Sequence, residues 1–409
     1  MPAKIDRAFV DFVENAFEPC SAPASSPEVE RTVNDKKTTN FGANAILAHV
    51  YAEWHRKRGM KPPPFHCEVC PTSKCPIHCQ FCSYTERNRA RHHLSKKILD
   101  EIAEDLKEMG TLAVYGSGGG DPLASDETVA FIDKVAAFSS VAIQTNAACL
   151  HKLQKWGCDW FNNRVDLVSW SVYADNPRTF QEVCGSNEKV FATIESNVRK
   201  TVEFRDSWRH CGLPSVPPHL SAKIVLSRGN FRRVVNMLRY ARSFCPDTIH
   251  ICLVDDFEPG QSVALTSSDL VELCALLDGE DDEQLVRLRK RIDGRENLVR
   301  SFIPNHTVLD GQTAIIETDG SVYVSIPSDG NPNYVIGNVN ELRLRELWWG
   351  PRHRDVVSRL ARVAFPINRD RHYSRDVAVE DFLRGRSAFP LRAADLTVER
   401  LRADLRVQI

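Results

Sequence analysis

The chain has 409 residues, 42% of them hydrophobic, enough for one large core and a smaller companion unit. Its 53 Lys and Arg nearly cancel its 54 Asp and Glu, which gives no support for binding nucleic acid or an anionic membrane surface. No apolar run approaches the roughly 20 residues of a membrane span, and the opening "MPAKIDRAFVDFVENAF" is amphipathic and acid-bearing rather than a secretory signal, so a cytoplasmic protein with mostly reduced thiols is expected.

In chain order, residues 1–64 read as a helical extension. Two helices flank the small-residue linker "SAPASSPE" (21–28), and the second, "NAILAHVYAEWHRKRG", stops at basic residues and Gly59. "KPPP" (61–64) breaks the chain. From Phe65 to about Gly260, short apolar runs alternate with amphipathic helices. The runs "FHCEV", "LAVYG", "VAIQT", "DLVSWSV", "LSAKIVL" and "IHICLV" predict strands, and helices are expected near 95–109, 126–138, 149–156, 187–204 and 230–243. Ser95 is a good N-cap for the first of these helices and Gly110 a good stop. Six β/α units in series imply an α/β fold with a parallel sheet and helices outside, its chemistry at the C-terminal ends of the strands.

The unusual residues fall at those ends. "KCPIHCQFCSY" (74–84) follows the first strand and carries Cys75, Cys79 and Cys82 with spacing C-x3-C-x2-C. Three thiolates on one loop ligate three irons of a [4Fe–4S] cube and leave the fourth iron open, whereas an ordinary electron-transfer cluster takes four cysteines. A competing pattern joins Cys67 and Cys70 to Cys79 and Cys82 as a four-thiolate zinc knob in a non-enzymatic protein. The second strand runs into "YGSGGGDPL" (115–123), where glycines let backbone approach a ligand and Asp121 supplies a carboxylate. That placement, on the strand after the cysteine loop, is not something a zinc knob requires.

With these motifs in this order, residues 65–262 resemble the radical S-adenosylmethionine (radical SAM) enzymes. Their motif is C-x3-C-x-aromatic-C, and Phe81 fills the aromatic place. The resemblance implies a partial (β/α)6 TIM-type barrel with N-terminal helices and a small C-terminal β-hairpin-plus-helix unit. It implies one [4Fe–4S] cluster on Cys75, Cys79 and Cys82, with S-adenosylmethionine on the open iron. Cofactor contacts are implied for Phe81, and for Gly118, Gly119, Gly120 and Asp121, where Gly-Gly-Asp-Pro stands for the family's Gly-Gly-Glu-Pro. Asn146 in "TNA" (145–147) stands in the family's Thr-Asn-Gly, and Ser171 in "VSWSV" (168–172) in its Ile-Ser segment; Lys223 and Asn230 are weaker candidates. Where relatives often carry an Arg, this chain reads "EVCGS", with Cys184. The implied chemistry is reductive cleavage of S-adenosylmethionine to a 5′-deoxyadenosyl radical that abstracts hydrogen from a substrate. An external one-electron donor such as flavodoxin or ferredoxin is implied as well.

Residues 263–300 read as a helical linker whose "DGEDDE" (278–283) is solvated surface. In 301–409, "TAIIETDGSVYVSI" (313–326) is a hairpin around Asp319-Gly320, and "YVIGNVNELRLRELW" (334–348) adds a strand and a helix. This pattern resembles the SPASM or twitch extensions of radical SAM enzymes. The cysteine place reads Ser325 and no cysteine follows Cys274, so a cluster-free extension that shapes the substrate pocket is implied. By the same analogy the expected substrate is a small polar metabolite (an aminosugar, sugar nucleotide or nucleoside) that is dehydrogenated, epimerised or dehydrated. A peptide or protein maturase is the alternative. Cys252, on the last strand, is the candidate hydrogen-atom donor. Cys67 and Cys70 read as buried scaffold thiols, His78 as a packing or solvent-facing residue, and Asp255, Asp256 and Glu258 as candidate substrate contacts.

Overall fold

Each apolar run marked as a strand forms one: β1 (His66–Val69), β2 (Ala113–Gly116), β3 (Ser140–Thr145), β4 (Leu167–Val172), β5 (His219–Leu226) and β6 (Thr248–Leu253). The computed structural model describes residues 41–82, 92–210, 217–254, 262–298, 312–324 and 331–360, with a few single positions besides. The six strands are parallel, and each bonds to its predecessor in sequence. Between them run α2 (Lys96–Met109), α3 (Glu127–Val135), α4 (His151–Gln154), α5 (Cys158–Arg164), α6 (Pro177–Cys184), α7 (Glu188–His210) and α8 (Val234–Arg242), after an N-terminal α1 (Phe41–Lys57). This is the sequential strand order of a partial (β/α)6 barrel.

Local chemistry explains the best-anticipated element. The Ser95 Oγ accepts the Ile98 N–H, Gly110 closes α2 in the left-handed region at φ 84°, and Leu99, Ile102, Leu106 and Met109 form its buried stripe. Other elements differ from expectation. The helix near 149–156 is only α4, and the one near 230–243 opens as a 3-10 turn (Phe231–Arg233) before α8. α5 and α6 were not anticipated, being short and rich in polar or capping residues. The linker at 21–28 lies outside the described residues. Of the segment before it, Phe9 packs edge-on against Tyr51 and Trp54 of α1.

After β6 come α9 (Ser267–Leu277) and α10 (Glu283–Leu298), then β7 (Thr313–Ile316), β8 (Ser321–Tyr323), β9 (Gly337–Asn338), α11 (Leu344–Trp349) and α12 (Pro351–Leu360). The hairpin does not stand apart from the barrel. β7 pairs in parallel with β1, so one sheet runs β6-β5-β4-β3-β2-β1-β7-β8-β9. Its turn needs glycine twice over: Gly320 has φ 88°, and a Cβ there would collide with Asn338 and Asn340, whose side-chain amides donate to the Asp319 carbonyl. Among the described residues no helix is long and apolar enough to cross a membrane.

Candidate active site

The cysteine loop leaves β1 and is held on two sides. On one side the C-terminus of α6 supplies carbonyls: His78 N–H donates to Cys184 O (2.8 Å), Gln80 N–H to Val183 O (3.0 Å) and the Gln80 amide to Glu182 O (2.7 Å). These acceptors are the orphan carbonyls that any helix end leaves to be satisfied. On the other side lies the glycine loop after β2. Gly120 N–H donates to Thr72 O (2.8 Å) and Asp121 N–H to Lys74 O (2.9 Å). A Cβ at Gly118 would strike the Cys70 sulfur, one at Gly119 the Thr318 methyl, and one at Gly120 the Lys74 carbonyl. The glycines therefore serve close packing of protein on protein: they let the cysteine loop, the glycine loop and the hairpin turn meet.

Asp121 has a comparable inward role. It is 2% exposed, and its carboxylate accepts the Thr145 hydroxyl (2.6 Å) and the N–H groups of Asn146 (2.8 Å) and Leu123 (3.0 Å). Burial pushes its pKa up, against the pull of those hydrogen bonds and of Lys152. It ties the end of β2 to the end of β3. Ala147, which follows Asn146, is a buried non-glycine residue at φ 71° in the place where the resembled Thr-Asn-Gly motif has glycine. The Thr145 hydroxyl accepts its N–H and Asn197 donates to its carbonyl, so the surroundings hold the conformation.

Cys75, Cys79, Cys82, Phe81, Gly118, Gly119, Gly120, Asp121, Asn146 and Ser171 all border one cavity of about 930 Å3, at the upper end of ordinary ligand sites. Phe81 and Tyr173, both on its wall, pack against each other with ring centroids 5.4 Å apart and planes tilted by 43°. Asn146 Nδ2 lies 3.4 Å from the Cys75 sulfur, and the Cys79 and Cys184 thiols are within hydrogen-bonding range. Burial pushes the Cys75 thiol up to about 12, with Asp121, Cys79 and Cys82 adding to it. The hydrogen bond with Cys184, and burial after it, raise Cys79 well above its usual value. Without iron these thiols keep their protons, so metal loading must displace them. Three sulfurs on one roomy cavity fit a multinuclear cluster. The zinc-knob set does not assemble: Cys67 is fully buried in the core with Leu99 and Val114, and among the described residues no three His, Cys, Asp or Glu side chains gather round a point as a single ion needs.

Two expected residues do not border this cavity. Lys223 sits on β5 between Ser171 of β4 and His250 of β6, and Cys252 is opposite Val225 at the sheet's edge. Asn230 is 2% exposed and spends its amide on the Tyr173 and Val225 carbonyls, a structural tie. His78 is exposed at the cavity's border. Asp255, Asp256, Glu258 and Ser325 lie outside the described residues.

Other site residues were missed. Tyr115 donates to Gln144 (3.0 Å), which donates to Ser171 (3.1 Å), while Glu68 accepts from Ser117, so a polar ladder crosses the sheet. The signal was in the strands themselves: single polar residues at period 2 within apolar runs. His250 is held below its ordinary pKa by burial, helped by Lys223 and Arg291.

Residues 69–204 match the sequence model of the Radical SAM superfamily. Among curated proteins, a PqqA peptide cyclase from Streptomyces rochei is 27% identical over 187 residues, 44% of this chain and 45% of that protein. A GTP 3′,8-cyclase from Psychromonas ingrahamii is 25% identical over 134 residues, 31% of this chain and 39% of that protein. The matches thus span less than half the length of these relatives. Among solved structures, anSMEcpe with bound AdoMet aligns with TM-score 0.50 at 17% identity, over 74% of this chain and 81% of that one. Streptococcus suis SuiB bound to precursor peptide SuiA aligns with TM-score 0.51 at 15% identity, over 86% and 79%. At such identities the likeness is one of fold.

Proposed function

Taking residues 69–204 as a radical SAM domain, we propose that this protein is a radical SAM enzyme whose substrate is a peptide. The observation that carries the first part is the meeting of Cys75, Cys79 and Cys82 on one cavity with Phe81, Asn146 and Ser171. Cys75, Cys79 and Cys82 hold the [4Fe–4S] cluster. When bound, the cluster and S-adenosylmethionine supply a one-electron cleavage that yields a 5′-deoxyadenosyl radical for hydrogen abstraction. The chain's residues do the rest. Phe81 and Tyr173 offer an apolar wall for the adenine ring, the glycine loop and Asn146 position the methionyl end, and Ser171 orients through the Tyr115–Gln144 ladder. The surrounding barrel excludes water from a reactive species.

The substrate reading departs from the small-metabolite expectation and takes up its alternative. The PqqA peptide cyclase match supports it, being the longer and more similar of the two curated matches. A reductant such as flavodoxin or ferredoxin completes the proposal, as does the division into an N-terminal extension, a barrel over about 65–262 and a cluster-free C-terminal extension.

Anaerobic reconstitution with iron, sulfide, dithionite and S-adenosylmethionine tests it. Formation of 5′-deoxyadenosine is expected, with loss of more than 100-fold in Cys75→Ala, on the order expected when a required cofactor is lost. Adding a low-mass extract of the host should stimulate turnover, and prior proteinase digestion should abolish the stimulation. Stimulation that survives digestion returns the substrate to the small metabolites. No deoxyadenosine under any condition removes the radical SAM reading of activity.

A further inference from the structure

Two of the three triad cysteines meet a hydrogen-bonding side chain from outside their own loop. Asn146, at the end of β3, points Nδ2 at the Cys75 sulfur from 3.4 Å. Its orientation is fixed from both sides, because its Oδ1 accepts the Ala148 N–H (2.9 Å) and its own N–H is held by Asp121 (2.8 Å). Cys184, the last residue of α6, is fully buried and meets the Cys79 thiol. Its position is locked by the bonds from His78 to Cys184 O and from Gln80 to Val183 O, one on each side of Cys79, and by Gly185, which ends α6 at φ 61°. Cys184 does not border the cavity that Cys75, Cys79 and Cys82 share. A thiol there can still donate its proton to a thiolate.

We propose that Asn146 and Cys184 are positioning residues that donate N–H and S–H hydrogen bonds to the Cys75 and Cys79 thiolates and thereby raise the reduction potential of the cluster those cysteines hold. The inference rests on the cluster-binding reading above. Its physical basis is that a donor to a ligand sulfur draws negative charge off the cluster, and the reduced state, which carries one more electron, gains more from that than the oxidised state does. Both donor residues are buried, Asn146 at 5% exposed and Cys184 at 0%, which strengthens such bonds relative to bulk water. The Asn146 amide and the Cys184 thiol are neutral, so the effect comes without burying another charge.

The test is a redox titration of the anaerobically reconstituted full chain, read by electron paramagnetic resonance of the reduced cluster, with iron content measured on each sample. Cys184→Ala and Asn146→Ser are each expected to lower the midpoint, and Cys184→Ser, which keeps a donor, to restore it. Together the two losses should leave about tenfold less cluster reduced at a fixed poise, which is ~59 mV for a one-electron couple. The Fe–S(Cys) stretching bands in resonance Raman spectra should move in the same variants. Full iron with an unchanged midpoint in both single variants overturns the proposal. If Cys184→Ala fails to load iron, Asn146→Ser decides alone, because it acts on the other sulfur. A wild-type chain that binds no cluster defeats the underlying reading instead, and the two failures are separated by the iron analysis.

Discussion

At Gly120 a single methyl group decides whether two loops can meet. Its Cβ would collide with the Lys74 carbonyl, a backbone atom that cannot swing away, whereas nothing lies within 4 Å of a Cβ at Gly59 or Gly279. Gly120→Ala should therefore cost about 3 kcal/mol or more and reduce iron retention after reconstitution; urea denaturation with iron analysis checks both. The cysteine spacing and the glycine run were legible because they are local. The work of the glycines was not, because their neighbours Cys70 and Thr318 are supplied by other parts of the chain. Asp121 repeats the lesson: its charge was visible, yet its three internal hydrogen bonds depend on β3 arriving beside β2.

Among the elements, α11 fastens the C-terminal hairpin to the barrel. Arg343, at its N-terminus, forms a two-pronged pair with Asp105 of α2 (2.8 and 3.1 Å), and Asp105 is fully buried. Trp348 donates to Pro62 O (3.1 Å) and so pins the same helix to the segment entering β1. Removing Arg343 leaves a buried carboxylate with weaker help from Arg345 at 3.6 Å. Arg343→Ala is expected to destabilise by about 2 kcal/mol, less than a fully buried pair would cost because Arg343 itself is partly exposed. A thermal melt compared with Arg345→Ala, which should lose less, checks it. The sequence "IGNVNELRLRELW" announced a turn, a strand and a helix, but Asp105 lies 238 residues from Arg343, and no local pattern announces such a partner.

For the whole molecule, the acid limb of stability has an identifiable contributor. Burial holds His353 of α12 down at about 4, against an ordinary value near 6.5, with its ring 4.3 Å from Trp348. A depressed histidine is neutral in the folded chain and takes up a proton on unfolding. Its contribution is complete above about pH 6.5 and is lost as pH falls toward 4, by about 3 kcal/mol over that window. Denaturant titrations at pH 7.5, 6 and 4.5 should show that decline, and His353→Phe should flatten it. A slope unchanged by the substitution would assign the decline to other groups.

By itself the sequence determined the series of six β/α units, the cysteine triad and the glycine loop, because periodicity, capping and turn chemistry act over a few residues. The tertiary structure decided which thiols share the cavity, that Cys184 faces Cys79, that Lys223 and Cys252 stand off from the cavity, and that the hairpin completes the barrel's sheet beside β1. Those outcomes depend on where a distant stretch of chain returns, and that is set by the packing of the whole core rather than by any one segment's pattern.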